Sequence, residues 1–260
     1  MLPAFLIVGA QRAGTTSLFK ALIQHRHVLR PPLHKGVHYF DTDHHRGMAW
    51  YRGHFPLLRT ARRIEAATGT APVTGESSPY YMFHPLAAER IARDLPGVKV
   101  IVALRDPVER AYSAFTHERA RGFEPEADFA RALALEEERL AGQAERLAAD
   151  PAARSMAHQH NGYRARGRYI EQLERLERIF TRERMFVVQS EDFFSEPEPI
   201  FADLERFLGI PAASDIAFER HNARPRSPMP ESLRAELTEH FEPYDERLAT
   251  WLGGTPSWRK

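Results

Sequence analysis

The 260-residue sequence contains no cysteine, which excludes disulfide bonds and metal sites built from thiolates. It also lacks a marked excess of either charge, because its formal net charge is +1. A chain without a global positive field is not expected to bind nucleic acid through its surface charge. No apolar run is long enough to span a membrane, and the short N-terminal one lacks the basic start of a signal peptide. We therefore expect a cytoplasmic protein with no membrane span and no nucleic-acid partner.

Lysine is scarce as well, because it provides only four of the 36 Lys and Arg residues: Lys20, Lys35, Lys99 and Lys260. Functional cations are therefore expected to be mostly arginines, whose planar guanidinium suits two-point contacts with phosphate. The remaining composition, 43% hydrophobic and 27% charged, is that of an ordinary globular protein. Length and pattern together predict a single α/β domain over residues 1–260. Its strands are predicted near residues 5–8, 37–40, 72–75, 99–104 and 185–189. Helices are predicted over residues 126–149, 230–241 and 243–252, among others.

The first stretch that carries chemistry follows the apolar run Phe5 to Val8, which predicts a buried strand. Gly9 and Gly14 bracket a tight loop, and the hydroxyl residues Thr15, Thr16 and Ser17 open a helix. Backbone N–H groups and the helix dipole make such a junction an anion site. The spacing is Gly-x-x-x-x-Gly, as in a P-loop, but Thr15 stands where a nucleotide triphosphatase has Lys, and the cation is Arg12 inside the loop. The alternative is a glycine turn that binds no ligand.

The second stretch is the apolar run Lys99 to Leu104, which predicts another strand and ends in Arg105-Asp106-Pro107. Pro107 suits the first turn of a helix, and Ser113 follows about two turns later. Arg105 therefore stands at the carboxyl end of a parallel strand, where open α/β sheets bind ligands. The alternative is an Arg–Asp turn beside a buried serine.

Together, these stretches resemble the 5′-phosphosulfate loop and the 3′-phosphate motif of sulfotransferases that use 3′-phosphoadenosine 5′-phosphosulfate (PAPS). The resemblance is closest to the heparan sulfate N- and O-sulfotransferase domains and their bacterial relatives. It implies a three-layer P-loop kinase-like fold with a mostly parallel central sheet of about five strands. It also implies that no metal is required and that the donor is held by the following residues: Gln11, Arg12, Ala13, Gly14, Thr15, Thr16, Ser17, Arg105 and Ser113. Arg224 and Arg226, in a proline-rich basic loop, resemble the loop that covers the 3′-phosphate, although a solvated connector is an alternative.

Two further segments resemble the acceptor side of this family. Residues 35–41 resemble Lys-Glu-x-His-Phe-Phe-Asp, with the family's proposed base Glu replaced by Gly36. Residues 75–79 resemble Gly-Glu-Lys-Ser/Thr-Pro, where Glu76 matches and Ser77 replaces the Lys. We favour His38 as the general base because imidazole titrates near neutral pH. Glu76 is predicted to orient His38 or to act as the base itself, and the alternative for His38 is a packing role.

The predicted reaction is in-line transfer of a sulfuryl group from PAPS to an acceptor hydroxyl, and an amine is the alternative acceptor. Arg12 is predicted to stabilise the charge that develops on the bridging oxygen of the leaving phosphate. The acceptor is a small molecule or a glycan. A small-molecule kinase and a non-catalytic module that binds adenosine 3′,5′-bisphosphate are the alternative functions. A cluster of Asp and His at residues 41–45 lacks the spacing of a metal site, and no metal ligand is predicted.

Overall fold

The computed structural model describes residues 1–221 and 227–260, and within them the fold is built on one five-stranded sheet. All strand pairs are parallel, in the spatial order β2-β3-β1-β4-β5. The strands are β1 Phe5–Gly9, β2 Val28–Leu29, β3 Val73–Ser77, β4 Lys99–Leu104 and β5 Met185–Gln189. This architecture confirms the predicted mostly parallel α/β sheet.

Helices make the crossovers that a parallel sheet requires. Their bounds are α1 Thr15–Leu22, α2 Gly47–Arg52, α3 Leu58–Thr68, α4 Ala87–Asp94, α5 Pro107–Ala120, α6 Phe129–Ala134, α7 Glu136–Leu140, α8 Gln143–Ala149, α9 Met156–His160, α10 Tyr169–Phe180, α11 Ser190–Ser195, α12 Pro197–Leu208 and α13 Glu231–Leu252. Within residues 1–221 and 227–260, no helix combines the length and the apolarity needed to cross a membrane.

The central strand β1 fixes where ligands can bind. Phe5 to Val8 have no exposed surface, as expected for a strand covered by helices on both faces. After β1, the chain forms β2 and β3 on one side of it, and then β4 and β5 on the other side. The connections that leave β1 and β4 therefore diverge beside the central strand. In an open α/β sheet, this switch point opens a crevice at the carboxyl ends of the strands.

The strand predicted at residues 37–40 is wrong, and the edge strand is instead Val28–Leu29. In residues 37–40, side chains replace a neighbouring strand as hydrogen-bond partners. Val37 N donates to a Glu76 carboxylate oxygen at 2.7 Å, and Tyr39 N donates to the Tyr81 hydroxyl at 2.8 Å. His38, between them, has a left-handed φ of 55°, which interrupts an extended backbone.

Two helix predictions also change. Residues 126–149 form three short helices rather than one, and Gly142, with φ 67°, separates α7 from α8. Residues 230–252 form the single helix α13, with Pro243 inside it, rather than two helices. The buried face of α13 continues on both sides of the proline, from Leu237 to Leu248, so packing against the core keeps the helix continuous.

Candidate active site

A cavity of about 640 Å³ lies at the carboxyl ends of the strands. Residues that end or directly follow four of the five strands line it, including Gln11 after β1, Ser77 at the end of β3, Arg105 after β4 and Ser190 after β5. The structure brings most of the predicted site residues to this one cavity: Gln11, Arg12, Gly14, Thr15, Thr16, His38, Arg105 and Ser113. Arg224 and Arg226 lie outside the described residues.

The loop between β1 and α1 is held by hydrogen bonds to residues outside it. Gly14 caps α1 with a left-handed φ of 77°, and a Cβ at this position would meet the Ser190 hydroxyl at 3.2 Å. The same hydroxyl donates to the Ala13 carbonyl at 2.7 Å. Ser17 is buried and accepts from His221 N at 2.9 Å. Ala13 and Ser17 therefore support the loop without lining the cavity, whereas Thr15 and Thr16 line it.

The two phosphate motifs predicted from the sequence are joined directly. Arg12 Nε donates to Ser113 Oγ at 3.0 Å, and Arg12 Nη1 lies 3.5 Å from His117 Nδ1. Arg105 Nη1 donates to the Arg12 carbonyl at 3.4 Å. Asp106 caps α5 by accepting from two backbone N–H groups of its first turn, which fixes the position of Arg105. The Arg12 guanidinium is thus oriented toward α5, the helix that carries Ser113.

The cavity is strongly positive although the whole chain is nearly neutral. Of the described residues that line it, six are Lys or Arg, and Glu191 is the single carboxylate. The six cationic residues are Arg12, Lys35, Arg105, Arg121, Arg166 and Arg220. Lining of this kind attracts a ligand with several negative charges and raises its local concentration.

His38 lines the cavity and is paired with a buried carboxylate. Its Nδ1 lies 2.8 Å from Asp41 Oδ2, and the Asp41 side chain has no exposed surface. Because an ionised carboxylate only accepts, we assign the Nδ1 proton to this bond, which leaves Nε2 as the proton acceptor. Burial alone would lower the pKa of His38, but the hydrogen bond and the charge of Asp41 outweigh it, and the pKa is raised. Asp41 therefore occupies the orienting position that the sequence suggested for Glu76.

Glu76 lies beneath the cavity wall, fully buried and absent from the lining residues described. Its carboxylate accepts four hydrogen bonds, from Val37 N, Ser78 Oγ and the hydroxyls of Tyr51 and Tyr81. Desolvation raises its pKa, although the hydrogen bonds oppose this. In this position, Glu76 holds the His38 segment against β3 and does not line the cavity.

Gly36 cannot be replaced by the family's Glu without moving the backbone. A Cβ at this position would lie 2.5 Å from the Ser77 carbonyl oxygen and 2.9 Å from Ser78 Oγ. Both neighbours belong to the end of β3 and the turn after it, so they cannot easily move aside. Gly36 therefore allows its backbone to lie closer to the end of β3 than a glutamate at this position would allow.

Backbone strain also marks the site. Among the described residues, Arg12, His38 and Thr181 are the non-glycine residues with positive φ, and the first two line the cavity. Left-handed backbone at such residues costs free energy and tends to occur at functional sites.

Two further cations, which were not among the predicted site residues, also line the cavity. Lys35 lines the cavity, and its Nζ donates to Thr16 Oγ1 at 2.9 Å. Arg166 is buried and donates to Gln11 Oε1 at 2.6 Å, which holds the side chain of the loop residue. Lys35 belongs to the segment that resembles the acceptor side of the family, and residues 166–169 resemble a family Arg-Gly-x-Tyr motif that is expected to face the cleft. Neither pattern shows where the side chain ends. Within the part of the chain that the structure describes, no group of three or more His, Asp or Glu residues is arranged to hold a metal.

The fold is that of a parallel α/β protein with a cationic crevice at the carboxyl ends of its strands, the place where such proteins bind phosphate groups. The family profile described as "Sulfotransferase domain" matches residues 2–231, and the chain belongs to this family. A crystal structure of a sulfotransferase from Alicyclobacillus acidocaldarius is 30% identical, covers 100% of both chains and superposes with a TM-score of 0.71.

Curated relatives are more distant. The membrane-associated sulfotransferase kil1 of Dictyostelium discoideum is 24% identical, over 99% of this chain and 67% of its own length. The bifunctional heparan sulfate N-deacetylase/N-sulfotransferase of Drosophila melanogaster is 26% identical over 83% of this chain. Human heparan sulfate glucosamine 3-O-sulfotransferase 5 is 27% identical over 81% of it. The chain spans 20% and 54% of the length of these last two proteins.

Proposed function

We propose that this protein transfers a sulfuryl group from PAPS to the hydroxyl group of an acceptor. One observation carries the proposal: the two phosphate motifs and the His38–Asp41 pair line or border a single cationic cavity. Membership of the sulfotransferase family supports transfer of a sulfuryl group rather than the phosphoryl transfer of a kinase. The presence of a paired imidazole beside the anion site supports an enzyme over a module that only binds nucleotide.

The residues present fit a donor with two anionic ends. The N-terminus of α1, with Thr15 and Thr16, provides N–H groups and hydroxyls for the 5′ end. Arg105 and Ser113 provide a cation and a hydroxyl for the 3′-phosphate, with Arg12 bonded to Ser113. Excess positive lining compensates the several negative charges that PAPS brings.

An apolar ring suits the adenine end of the donor. Phe194 lines the cavity, packs beside Gly14, and has the Arg220 guanidinium 4.6 Å from its ring centroid. An aromatic face next to a guanidinium plane is a favourable surface for a purine ring.

In the proposed reaction, His38 Nε2 accepts the proton of the acceptor hydroxyl as that oxygen attacks sulfur. Asp41 holds the ring in the required tautomer and stabilises the imidazolium that forms. Cations on the lining stabilise the negative charge left on the 5′-phosphate. On the acceptor side, the lining includes Tyr80, whose ring has the Arg166 guanidinium 4.9 Å away.

Incubation of the protein with radiolabelled PAPS and a panel of acceptors tests this proposal. The panel contains heparan-type oligosaccharides, small phenols, alcohols and amines, because the matched relatives include enzymes named for heparan sulfate. We expect transfer of label to a hydroxyl acceptor. Tight binding of PAPS without transfer to any acceptor would favour the binding module instead. Turnover of ATP in place of PAPS would favour the kinase.

A further inference from the structure

One of the four lysines of the chain reaches the anion site from another part of the fold. Lys35 belongs to the loop between β2 and α2, and its ammonium group donates to Thr16 Oγ1, in the first turn of α1, at 2.9 Å. Burial lowers the pKa of this lysine to about 8. A partly buried amine in hydrogen-bond contact with the first turn of α1 therefore adds a second cation to Arg12, which the loop itself supplies.

The position of Lys35 is tied to the site where the family motif has a lysine and this chain has Ser77. Ser77 N donates to the Lys35 carbonyl at 2.8 Å, so the two residues are backbone neighbours, and both line the cavity. Ser77 Oγ is buried and has no hydrogen-bond partner among the described residues. The serine therefore supplies no charge at the position where the family motif has a lysine.

Arg12, the cation within the loop, contacts α5 rather than the first turn of α1. Its guanidinium bonds to Ser113 Oγ and lies near His117, on α5. Lys35 instead contacts Thr16 on α1. Arg12 and Lys35 therefore both lie at the phosphate-binding loop but contact different helices, and Lys35 is the one held against the turn that begins α1.

We propose that Lys35 is a catalytic residue whose ammonium group donates a hydrogen bond to the oxygen that leaves sulfur during transfer. This inference rests on the proposed function. The acceptor O–S bond forms, the bond from sulfur to the phosphate oxygen breaks, and the electron pair remains on that oxygen. The acceptor proton passes to His38, and Lys35 keeps its own proton. Lys35 thus provides the charge that Ser77 cannot.

An ammonium group suits this role because it is compact and carries several donors, so it can hold Thr16 and a phosphate oxygen at once. An anion beside Lys35 stabilises its charged form. Binding of adenosine 3′,5′-bisphosphate should therefore raise the pKa of Lys35, and the complex should take up a proton at about pH 8 to 9.

Nuclear magnetic resonance of protein labelled in lysine measures this directly, because only four side-chain signals are present. Lys35→Arg identifies the Lys35 signal, and Lys99, at the opposite end of the sheet, is the internal control. With adenosine 3′,5′-bisphosphate, we expect the pKa of Lys35 to rise by roughly one unit or more, whereas the Lys99 signal should not respond to the nucleotide. An unmoved Lys35 signal in protein that calorimetry shows to be saturated would overturn the inference and leave the proposed function intact. Failure of the wild type to bind the nucleotide would overturn both.

Kinetics give the second measurement. Lys35→Met should lower kcat roughly 10²–10³-fold, the range for one charge-stabilising donor, with a smaller loss of nucleotide affinity. Lys35→Arg keeps the charge and should recover part of the rate, and it serves as the test variant if Lys35→Met does not fold. Lys99→Met should keep the full rate. A kcat within three-fold of wild type in both Lys35 variants would rule out the role.

Discussion

Replacement of Glu76 by Gln should destabilise the protein far more than an isosteric change usually does. The carboxylate has no exposed surface and accepts four hydrogen bonds. All four partners donate: Val37 N and Ser78 Oγ to one oxygen, and the hydroxyls of Tyr51 and Tyr81 to the other. An amide has one acceptor oxygen, so two of the four donors must face an N–H group.

The loss of stability in Glu76→Gln depends on which two of the four donors lose their acceptor. Val37 N cannot turn, so the amide oxygen should remain on that side and the NH₂ group should face the two tyrosine hydroxyls. The Tyr81 oxygen already accepts from Tyr39 N, and each hydroxyl hydrogen is left buried without an acceptor. Two such groups, at about 1–2 kcal/mol each, predict a loss of roughly 2–4 kcal/mol in the free energy of unfolding.

Urea unfolding followed by circular dichroism measures this loss. Glu65→Gln, on the exposed side of α3, is the matched control and should change stability by less than about 0.5 kcal/mol. Tyr51→Phe removes one donor and should cost less than Glu76→Gln. The residual activity of Glu76→Gln should still rise with pH, but at lower pH than in the wild type, because the charge of Glu76 also raises the pKa of His38. If Glu76→Gln is as stable as wild type yet has no turnover, then Glu76 is the base and the structural role argued above is wrong.

Three further predictions concern the cavity. Asp41→Asn removes the charge that raises the pKa of His38, so the rise of kcat/KM with pH should move to lower pH; an unmoved profile would argue against His38 as the base. Arg105→Ala should weaken the binding of adenosine 3′,5′-bisphosphate by about 1.5–3 kcal/mol, measured by calorimetry, and leave the binding of adenosine 5′-phosphate almost unchanged. Equal losses of affinity for both nucleotides would show that Arg105 has a structural role. Arg12→Ala should lower turnover roughly 10²–10³-fold with a smaller change in PAPS affinity, and normal turnover would remove Arg12 from the mechanism.

The local motifs were predictable from the sequence because their geometry is local. An apolar run, two glycines and three hydroxyl residues specify a strand, a tight turn and a helix start within thirteen residues. The run before Arg105 and the proline after Asp106 specify a second strand-to-helix junction in the same way. Parallel strands present such junctions at one edge of the sheet, so the family and the fold followed from two short stretches. The single-domain organisation and the cytoplasmic location stay predictions.

Tertiary structure decided which side chains the segment of Lys35 and His38 contacts. The segment that holds Lys35 and His38 looked like a strand by alternation, but it is a loop held by the buried carboxylate of Glu76. Its path brings Lys35 to Thr16 and turns the His38 ring onto Asp41. These contacts depend on where a loop packs against β3 and α1, and no periodicity within the loop encodes that distance. Sequence alone therefore predicted the anion-binding loop, whereas long-range packing placed Lys35 beside Thr16 and Asp41 beside His38.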